Sequence, residues 1–330
     1  MAVIRLLIAL LIAALLAAIA VVSWLSSPIG REGQALDLLV QPKSSAQTIA
    51  NSVVASGARV NPTLLYAWFR LSGQSRQIKA GSYELESDID PRRLLEKLVN
   101  GEQALRSVTL VEGWTFQQFR QVIDKLTDIR HDSSALSVSE LMRALGRAGQ
   151  SPEGRFFPDT YRYAKGSSDL ALMQATLTAM DNQLALAWDA RAPGLTLHSP
   201  DELLTLASIV EKETGAQTDR RKVASVFHNR LRIGMRLQTD PTVIYGLGPS
   251  FDGNLRKADL LHDTPYNTYT RVGLPPTPIA MPGKSALQAA ANPEPGNALY
   301  FVAKGDGLSQ FSATLDEHNR AVNRYQRGKP

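Results

Sequence analysis

Two glutamates lie two residues apart in the segment LASIVEKET, residues 206–214, whose apolar content is typical of a buried helix. Helix positions two apart point in directions about 200° apart, so Glu211 and Glu213 cannot both serve one site. The positions three, four and seven residues before Glu213 are all large and apolar, and those before Glu211 include a serine and an alanine. We therefore predict that Glu213 extends the more buried face, where loss of hydration raises the pKa of a carboxyl group and makes it a general acid. An ordinary glutamate in the last turn of a helix is the alternative.

Polar and aromatic side chains that could hold a sugar follow in two short segments. RLQTDPT, residues 236–242, combines amide, hydroxyl and carboxylate groups before a proline that opens a short helix, and YNTYT, residues 266–270, adds two aromatic rings. Sugars bind by stacking on rings and by hydrogen bonds to their hydroxyls. We expect the sugar-binding residues to be Gln238, Thr239, Asp240, Asn267, Thr268 and Tyr269. The proline-rich segment 273–283 predicts a helix-free loop that walls the cleft.

Asp240 has two possible roles. It precedes Pro241, where aspartate commonly caps a helix, and this capping role is our expectation. A second carboxylate beside Glu213 would instead suit a glycosidase that activates water.

Other chemistries are excluded by residue type. The chain has no cysteine, which rules out disulfides, thiolate nucleophiles and cysteine-ligated metals. Its five histidines are scattered, without the spacing of a zinc site, and neither a nucleophile elbow nor a phosphate-binding loop is present. We expect no metal and no cofactor.

The elements predicted around these residues alternate between strands and capped helices. A strand over 106–111 precedes a helix that begins at Thr115 with a capping box to Gln118. Further helices are predicted over 168–190, 203–214 and 219–232. A hairpin over 300–312, turning at GDG, and a last helix capped by Thr314 complete an α+β domain over residues 104–330.

Residues 34–103 form a smaller predicted module. Strand 36–40, a helix capped by Ser45, a helix opened by Asn61 and Pro62, and strand 78–85 give the order strand–helix–helix–strand, followed by a helix over 91–100. This order resembles a LysM-like glycan-binding module. A structural α/β spacer would have the same order of elements.

The amino terminus predicts a membrane anchor. Residues 6–25 carry no charge and are long enough to cross about 30 Å of hydrocarbon. The run exceeds the apolar core of a signal peptide, although Ala18 and Ala20 would suit cleavage. Arg5 favours a cytoplasmic stub of residues 1–5, so the chain beyond the linker, residues 26–33, is expected in the periplasm on a single-pass inner (plasma) membrane anchor. Export excludes nucleic acid as the partner of a chain with net charge +5 in 330 residues.

Several motifs together resemble one family. PEGRFFPDTY at 152–161, LASIVEKET at 206–214, VASVFHNRLRIGMRLQTDPTVIYG at 223–246, YNTYT at 266–270, GLPP at 273–276 and LYFVA at 299–303 are similar to those of the YceG-like endolytic murein transglycosylases. These are membrane-anchored enzymes that cut peptidoglycan glycan strands. The resemblance implies that Glu213, the second glutamate of EKE, is catalytic, and it supports the LysM-like assignment.

The implied reaction needs one carboxyl group. Glu213 would protonate the glycosidic oxygen between N-acetylmuramic acid and N-acetylglucosamine, then accept the proton of the muramyl C6 hydroxyl as it attacks C1, leaving 1,6-anhydro ends that terminate strand elongation. An internal nucleophile has a high effective molarity, so no activated water is required.

Two alternatives remain open: a non-catalytic scaffold that tethers peptidoglycan, and a water-using muramidase with Asp240 as second carboxylate. The expected partners are peptidoglycan strands, together with peptidoglycan synthases or division proteins.

Overall fold

Local capping chemistry sets the start of three helices in the first hundred residues. In the computed structural model, the side chains of Ser45, Asn61 and Asp90 accept hydrogen bonds from backbone N–H groups of the first turns that follow them. A proline stands at the first helical position after Asn61 and after Asp90, where its missing N–H costs nothing. These boundaries confirm the predicted ones.

The structure describes residues 2–31, 33–213 and 217–328, with the side chain of Gln217 excepted. The remaining positions, which belong to the predicted stub, linker, active-site helix and carboxy-terminal domain, lie outside the described residues. The chain divides into two compact units, the first comprising 1–106 with 128–130 and 162–167, and the second comprising the rest.

The first unit begins with an apolar helix and continues as a small α/β module. Helix α1 is long and apolar enough to cross a membrane, with a mean hydropathy of 3.0 over its most apolar stretch, and it is not buried by the rest of the chain. The elements of this unit are α1 (Ala2–Leu25), β1 (Leu36–Val40), α2 (Ala46–Ala55), α3 (Pro62–Leu71), β2 (Gly81–Leu85) and α4 (Pro91–Asn100).

Strands β1 and β2 pair antiparallel, with Leu36 opposite Leu85 and Val40 opposite Gly81. The alternate residues of β1 point into a core shared with α2, α3 and α4. Strand β2 begins at Gly81, three residues later than predicted, because the backbone N–H of Lys79 is bonded to the Leu98 carbonyl of α4 and is unavailable to a ladder. The predicted strand–helix–helix–strand order is therefore present; its likeness to LysM stays a prediction.

The second unit is mostly helical. Its strands belong to two short two-stranded sheets, β3 with β4 and β5 with β6. Its elements, including strands at the boundary, are β3 (Leu105–Thr109), α5 (Phe116–Asp124), α6 (Val138–Ala144), β4 (Thr160–Ala164), α7 (Asp169–Asp189), α8 (Pro200–Glu213), α9 (Gln217–Arg232), α10 (Asp240–Leu247), α11 (Lys257–Leu261), α12 (Lys284–Ala291), β5 (Tyr300–Ala303), β6 (Ser309–Ser312) and α13 (Leu315–Tyr325). Separate two-stranded sheets among helices confirm the α+β class.

Helix α8 is the centre of this unit. It packs against α7, α9, α10 and α12, and every residue from 203 to 210 is buried. A helix buried on all sides belongs to the core, and its apolar residues do not form a single stripe. The end of α8, which carries Glu211 and Glu213, is therefore fixed by packing on several sides.

Helices α6, α11 and α12 and strand β4 of the second unit were not predicted. Helix α6 has a capping box from Ser137 to Glu140, α12 follows Gly283 with the alanine-rich run KSALQAAA, and β4 pairs with β3. Helix α12 is mostly buried and packs against α8, and its exposed face is narrow, with Lys284 and Gln288 four positions apart. The predicted hairpin and last helix are confirmed as β5, β6 and α13.

Candidate active site

Glu213 lies at the carboxy-terminal end of α8, on the wall of a cavity of about 490 Å³. One of its carboxyl oxygens, Oε1, accepts a hydrogen bond from the hydroxyl of Thr239. Burial is the main cause that raises the pKa of Glu213, and the charge of Asp240 raises it further. The Thr239 hydrogen bond and the charge of Arg230 oppose this rise. The group is therefore set up to hold a proton above its ordinary pKa, as a general acid must.

Glu211 is also buried, so burial by itself does not distinguish it from Glu213. The Glu211 side chain is 6% exposed and forms an ion pair with Arg220, with 3.1 Å between Oε1 and Nη2. Its other oxygen accepts the backbone N–H of Gly283 at 2.8 Å. Both oxygens of Glu211 therefore hold the fold together, and the difference between the two glutamates lies in their partners.

Three of the predicted sugar-binding side chains line the same cavity as Glu213: Gln238, Asp240 and Tyr269. The Tyr269 hydroxyl donates to Asp240 Oδ1 at 2.5 Å, which fixes the carboxylate beside the cavity. Gln238 has a φ of 48°, a left-handed conformation that is uncommon outside glycine and typical of functional positions. These residues bring a carboxylate, an amide and a phenol close to Glu213.

The expected capping role of Asp240 is wrong. The N-cap of α10 is Thr239, without a side-chain cap hydrogen bond, and Asp240 is already the first residue of the helix. Thr239 uses its hydroxyl for Glu213 instead. Asp240 is therefore available to the cavity, bound only to Tyr269 among the contacts that the described residues provide.

Asn267, Thr268 and Thr239 lie beneath this surface, each no more than 2% exposed. The Asn267 amide donates to the backbone carbonyl of His262 at 2.7 Å, and its oxygen accepts the N–H of Tyr269 at 2.8 Å. The Thr268 hydroxyl accepts the N–H of Thr239 at 3.1 Å. Asn267 and Thr268 thus position Tyr269 and Thr239, and their burial leaves no face for the sugar contact expected of them.

Four cavity residues were not singled out from the sequence: Arg230, Tyr300, His318 and Asn319. The Tyr300 and His318 rings stack at 5.2 Å between centroids, and the Arg230 guanidinium lies 5.4 Å from the Tyr300 ring. Burial lowers the pKa of His318, and Arg230 lowers it further, so the imidazole is neutral at pH 7. The motifs HNRL and LYFVA contain Arg230 and Tyr300, but nothing local to the sequence places α13 beside them.

The proline-rich segment 273–283 is free of helix, as predicted, but it does not line this cavity. The Ile279 N–H donates to the Ser208 hydroxyl at 3.0 Å, and Met281 exchanges two backbone hydrogen bonds of 2.8 Å with Gly113 and Trp114. The segment is packed against α8, so the expectation that it walls the cleft is wrong.

A larger groove of about 680 Å³ lies between α7, α9 and α12, and Glu213 does not line it. Its chemistry-bearing side chains are cations and amides, including Lys284 and Arg221. The smaller cavity is the better candidate because it combines an acid of raised pKa, a second carboxylate and stacked rings. Within the described residues, no cluster of metal-ligating side chains is present.

A model of the YceG-like family matches residues 38–324. The chain belongs to the YceG-like family. An endolytic murein transglycosylase of Bacillus subtilis (strain 168) is 30% identical over 320 residues, covering 91% of this chain and 88% of the relative. One of Streptococcus pneumoniae (strain ATCC BAA-255 / R6) is 29% identical over 313 residues, covering 84% of this chain and 56% of the relative.

A solved structure is also similar. The 2.6 Å crystal structure of a yceG-like protein from Listeria monocytogenes has 30% identity and a TM-score of 0.54, covering 87% of this chain and 98% of that one. The YceG-like fold thus extends over most of both chains.

Proposed function

We propose that this YceG-like chain is an endolytic murein transglycosylase that cuts the bond between N-acetylmuramic acid and N-acetylglucosamine within glycan strands. The observation that supports it best is Glu213, a buried carboxyl of raised pKa on the wall of a cavity that also contains stacked aromatic rings. The names of its relatives in Bacillus subtilis and Streptococcus pneumoniae support the same activity.

Glu213 acts first as an acid and then as a base. Its proton goes to the glycosidic oxygen, and the bond from that oxygen to the muramyl C1 breaks. The resulting carboxylate accepts the proton of the C6 hydroxyl while the C6 oxygen bonds to C1 of the same ring. Charge at C1 develops near the carboxylate of Asp240, which Tyr269 holds in place. The internal hydroxyl replaces an activated water.

The stacked pair Tyr300 and His318 supplies a platform for a neighbouring sugar ring. Aromatic faces bind the apolar faces of sugars, and a neutral imidazole exchanges hydrogen bonds with hydroxyls. The two rings come from β5 and α13, so this part of the chain contributes to binding rather than to proton transfer.

A water-using muramidase is the second candidate, and Asp240 is the observation that favours it. Asp240 shares the cavity with Glu213 and is not consumed by helix capping. It would serve as the base that activates a water molecule.

Mass spectrometry of fragments released from purified sacculi distinguishes these activities. The transglycosylase leaves 1,6-anhydro-muramyl ends, which are lighter by one water than reducing ends. Reducing ends would reject the attack by the internal hydroxyl and favour the Asp240 mechanism. The absence of any released fragment would favour a non-catalytic scaffold. Fragments of mixed length are expected from cuts within strands, whereas terminal disaccharides alone would contradict the endolytic assignment.

The remaining parts of the chain fit a role at the membrane. Helix α1 anchors the protein in the inner membrane with a short cytoplasmic end, and the second unit lies in the periplasm. Residues 34–103 strengthen binding to glycan without contributing chemistry, and a chain lacking them is expected to bind sacculi less tightly. Cleavage of nascent strands terminates their elongation, which requires access to peptidoglycan synthases or division proteins.

A further inference from the structure

A second cavity continues the candidate active site on the far side of Tyr269 and Gln238. Its volume is about 420 Å³, and both of these side chains line it as well as the cavity of Glu213. The other lining residues are Arg236, Lys257, Leu260, Leu261 and Thr270, and we call this site the basic cavity. A polymer bound at Glu213 therefore has a second surface directly beyond the Tyr269 ring.

The cations of the basic cavity are uncompensated. Arg236 and Lys257 are exposed, and in the described part of the chain neither side chain forms an ion pair or a hydrogen bond. The carboxylates of these segments contact other groups. Asp259 accepts the backbone N–H of Arg256 with an N···O distance of 2.7 Å, Asp263 pairs with Arg271 at 2.9 Å, and Asp240 accepts the Tyr269 hydroxyl at 2.5 Å.

The walls of the basic cavity also offer apolar surface. Leu261 is 69% exposed, although it lies on α11 within a folded segment. A ligand that fits this combination has carboxylates for the two cations and small apolar groups for the leucines.

Murein provides such a ligand next to the scissile bond. Each muramyl ring carries a peptide on the lactyl group of its C3 oxygen, and that peptide has free carboxylates and alanine methyl groups. The ring attacked at C1 must lie at Glu213, so its C3 substituent leaves the ring within the same cavity. Tyr269 and Gln238 form the boundary across which it would pass.

We propose that the basic cavity binds the peptide of the muramyl ring that is cleaved, with Arg236 and Lys257 contacting its carboxylates. This proposal rests on the proposed function. The chain therefore prefers glycan strands that carry peptides over stripped strands, and the preference weakens as salt screens the exposed charges.

The test compares two substrates and one pair of substitutions. The wild-type chain and the double variant Arg236→Gln/Lys257→Gln each digest two substrates. One is glycan strands with intact peptides, and the other is the same strands after an amidase has removed the peptides and left the lactyl carboxylate. An exposed charge pair is worth up to about fivefold in binding, so the double variant should raise KM for peptide-bearing strands about tenfold with kcat unchanged. On stripped strands the KM of the two proteins should agree within about twofold. Arg256→Gln is the matched control, because Arg256 is exposed on the same segment but its charge is already paired with Asp252.

The outcomes distinguish failure of the peptide assignment from failure of the proposed function. An equal rise of KM on both substrates, or none on peptide-bearing strands, overturns the peptide assignment and leaves the proposed activity intact. A wild-type chain that cuts neither substrate contradicts the proposed function. In that case, the Kd of peptide-bearing strands is measured for the wild-type and double-variant chains. The peptide assignment predicts a Kd about tenfold weaker for the variant, and an equal Kd overturns this assignment.

Discussion

The two glutamates at the end of α8 differ in what their carboxyl groups contact. Glu213 shares a cavity with Asp240 and Tyr269, and Glu211 is bound to Arg220 and to the backbone of Gly283. Burial raises the pKa of both carboxyl groups, and at Glu211 the Gly283 N–H and the charge of Arg220 oppose that rise. The groups that each glutamate contacts, more than its depth of burial, distinguish a chemical role for Glu213 from a structural role for Glu211.

Glu213→Gln should abolish cleavage while preserving the fold. The amide oxygen keeps the hydrogen bond from Thr239 but has no proton to donate, and general acid–base catalysis contributes about 10²- to 10⁴-fold to the rate. Fragment release from sacculi should fall by at least about 10²-fold, with a thermal midpoint equal to or above that of the wild type. Retention of more than a tenth of the activity would contradict the assignment of Glu213.

Glu211→Gln should mainly destabilise the protein. Substitution leaves the Arg220 guanidinium, which is 8% exposed, without its countercharge, and breaking a buried pair costs roughly 3 kcal/mol. The thermal midpoint should drop, and activity below that midpoint should persist. As a control, Glu211→Gln combined with Arg220→Met removes the orphaned charge and should recover part of the loss; a normal midpoint in the single variant would refute a structural role.

Helices α5 and α10 are joined by one buried carboxyl group, that of Glu153. Its Oε1 accepts the backbone N–H of Phe116 at 3.0 Å at the start of α5, and its Oε2 accepts the Tyr245 hydroxyl of α10 at 3.1 Å. Burial raises the pKa of Glu153 to about 7. Because α10 begins with Asp240, this connection holds a helix that carries a site residue.

The protonation of Glu153 should make stability depend on pH. A folded-state pKa above the unfolded value stabilises the protein at low pH, and this contribution is lost as the pH rises from about 4.5 through about 7. The expected loss is about 3 kcal/mol in the free energy of unfolding by pH 8. Chemical denaturation at pH 5 and pH 8 should show a smaller difference for Glu153→Gln than for the wild type.

Glu294→Gln is the control for this measurement, because it makes the same substitution at an exposed position. Glu211 and Glu213 also have raised pKa values and contribute to the slope in both proteins, so the comparison between them isolates Glu153. Equal slopes in the wild type and in Glu153→Gln would show that Glu153 is ionised in both states.

At the scale of the whole molecule, α1 has the length and composition of a membrane anchor. The helix has 24 residues, long enough for about 36 Å of membrane, and the Arg92 guanidinium of the first unit donates to the Ser26 hydroxyl just after its end. An uncleaved anchor keeps a wall enzyme beside the strands that emerge at the membrane.

The anchor prediction concerns the mature protein. It should retain its first residues and fractionate with the inner membrane, because removal of a long apolar helix from water favours the bilayer. Amino-terminal sequencing of the purified protein checks this, and fractionation of a chain that starts at residue 26 provides the soluble control. A mature sequence that starts after Ala20 would identify a cleaved signal peptide instead.

The sequence by itself determined the features that depend on a few neighbouring residues. The caps at Ser45, Asn61, Asp90, Thr115 and Thr314 act within four positions, so the helices that they start were predicted to within a few residues. The apolar run of α1 and the EKE segment of α8 also follow from local composition and spacing. The resemblance of the motifs to one family predicts a catalytic role for Glu213 without any knowledge of the packing.

Only the tertiary structure decided which groups meet across long separations. Glu211 pairs with Arg220, nine residues away, and accepts the backbone N–H of Gly283, 72 residues away. Glu213 accepts the hydroxyl of Thr239, 26 residues away. Such pairs depend on how α8 is packed among α9, α10 and α12, and no local pattern encodes that packing. The same packing buries Asn267 and brings His318 to the cavity, because a polar side chain becomes a support or a ligand contact according to the surface that covers it.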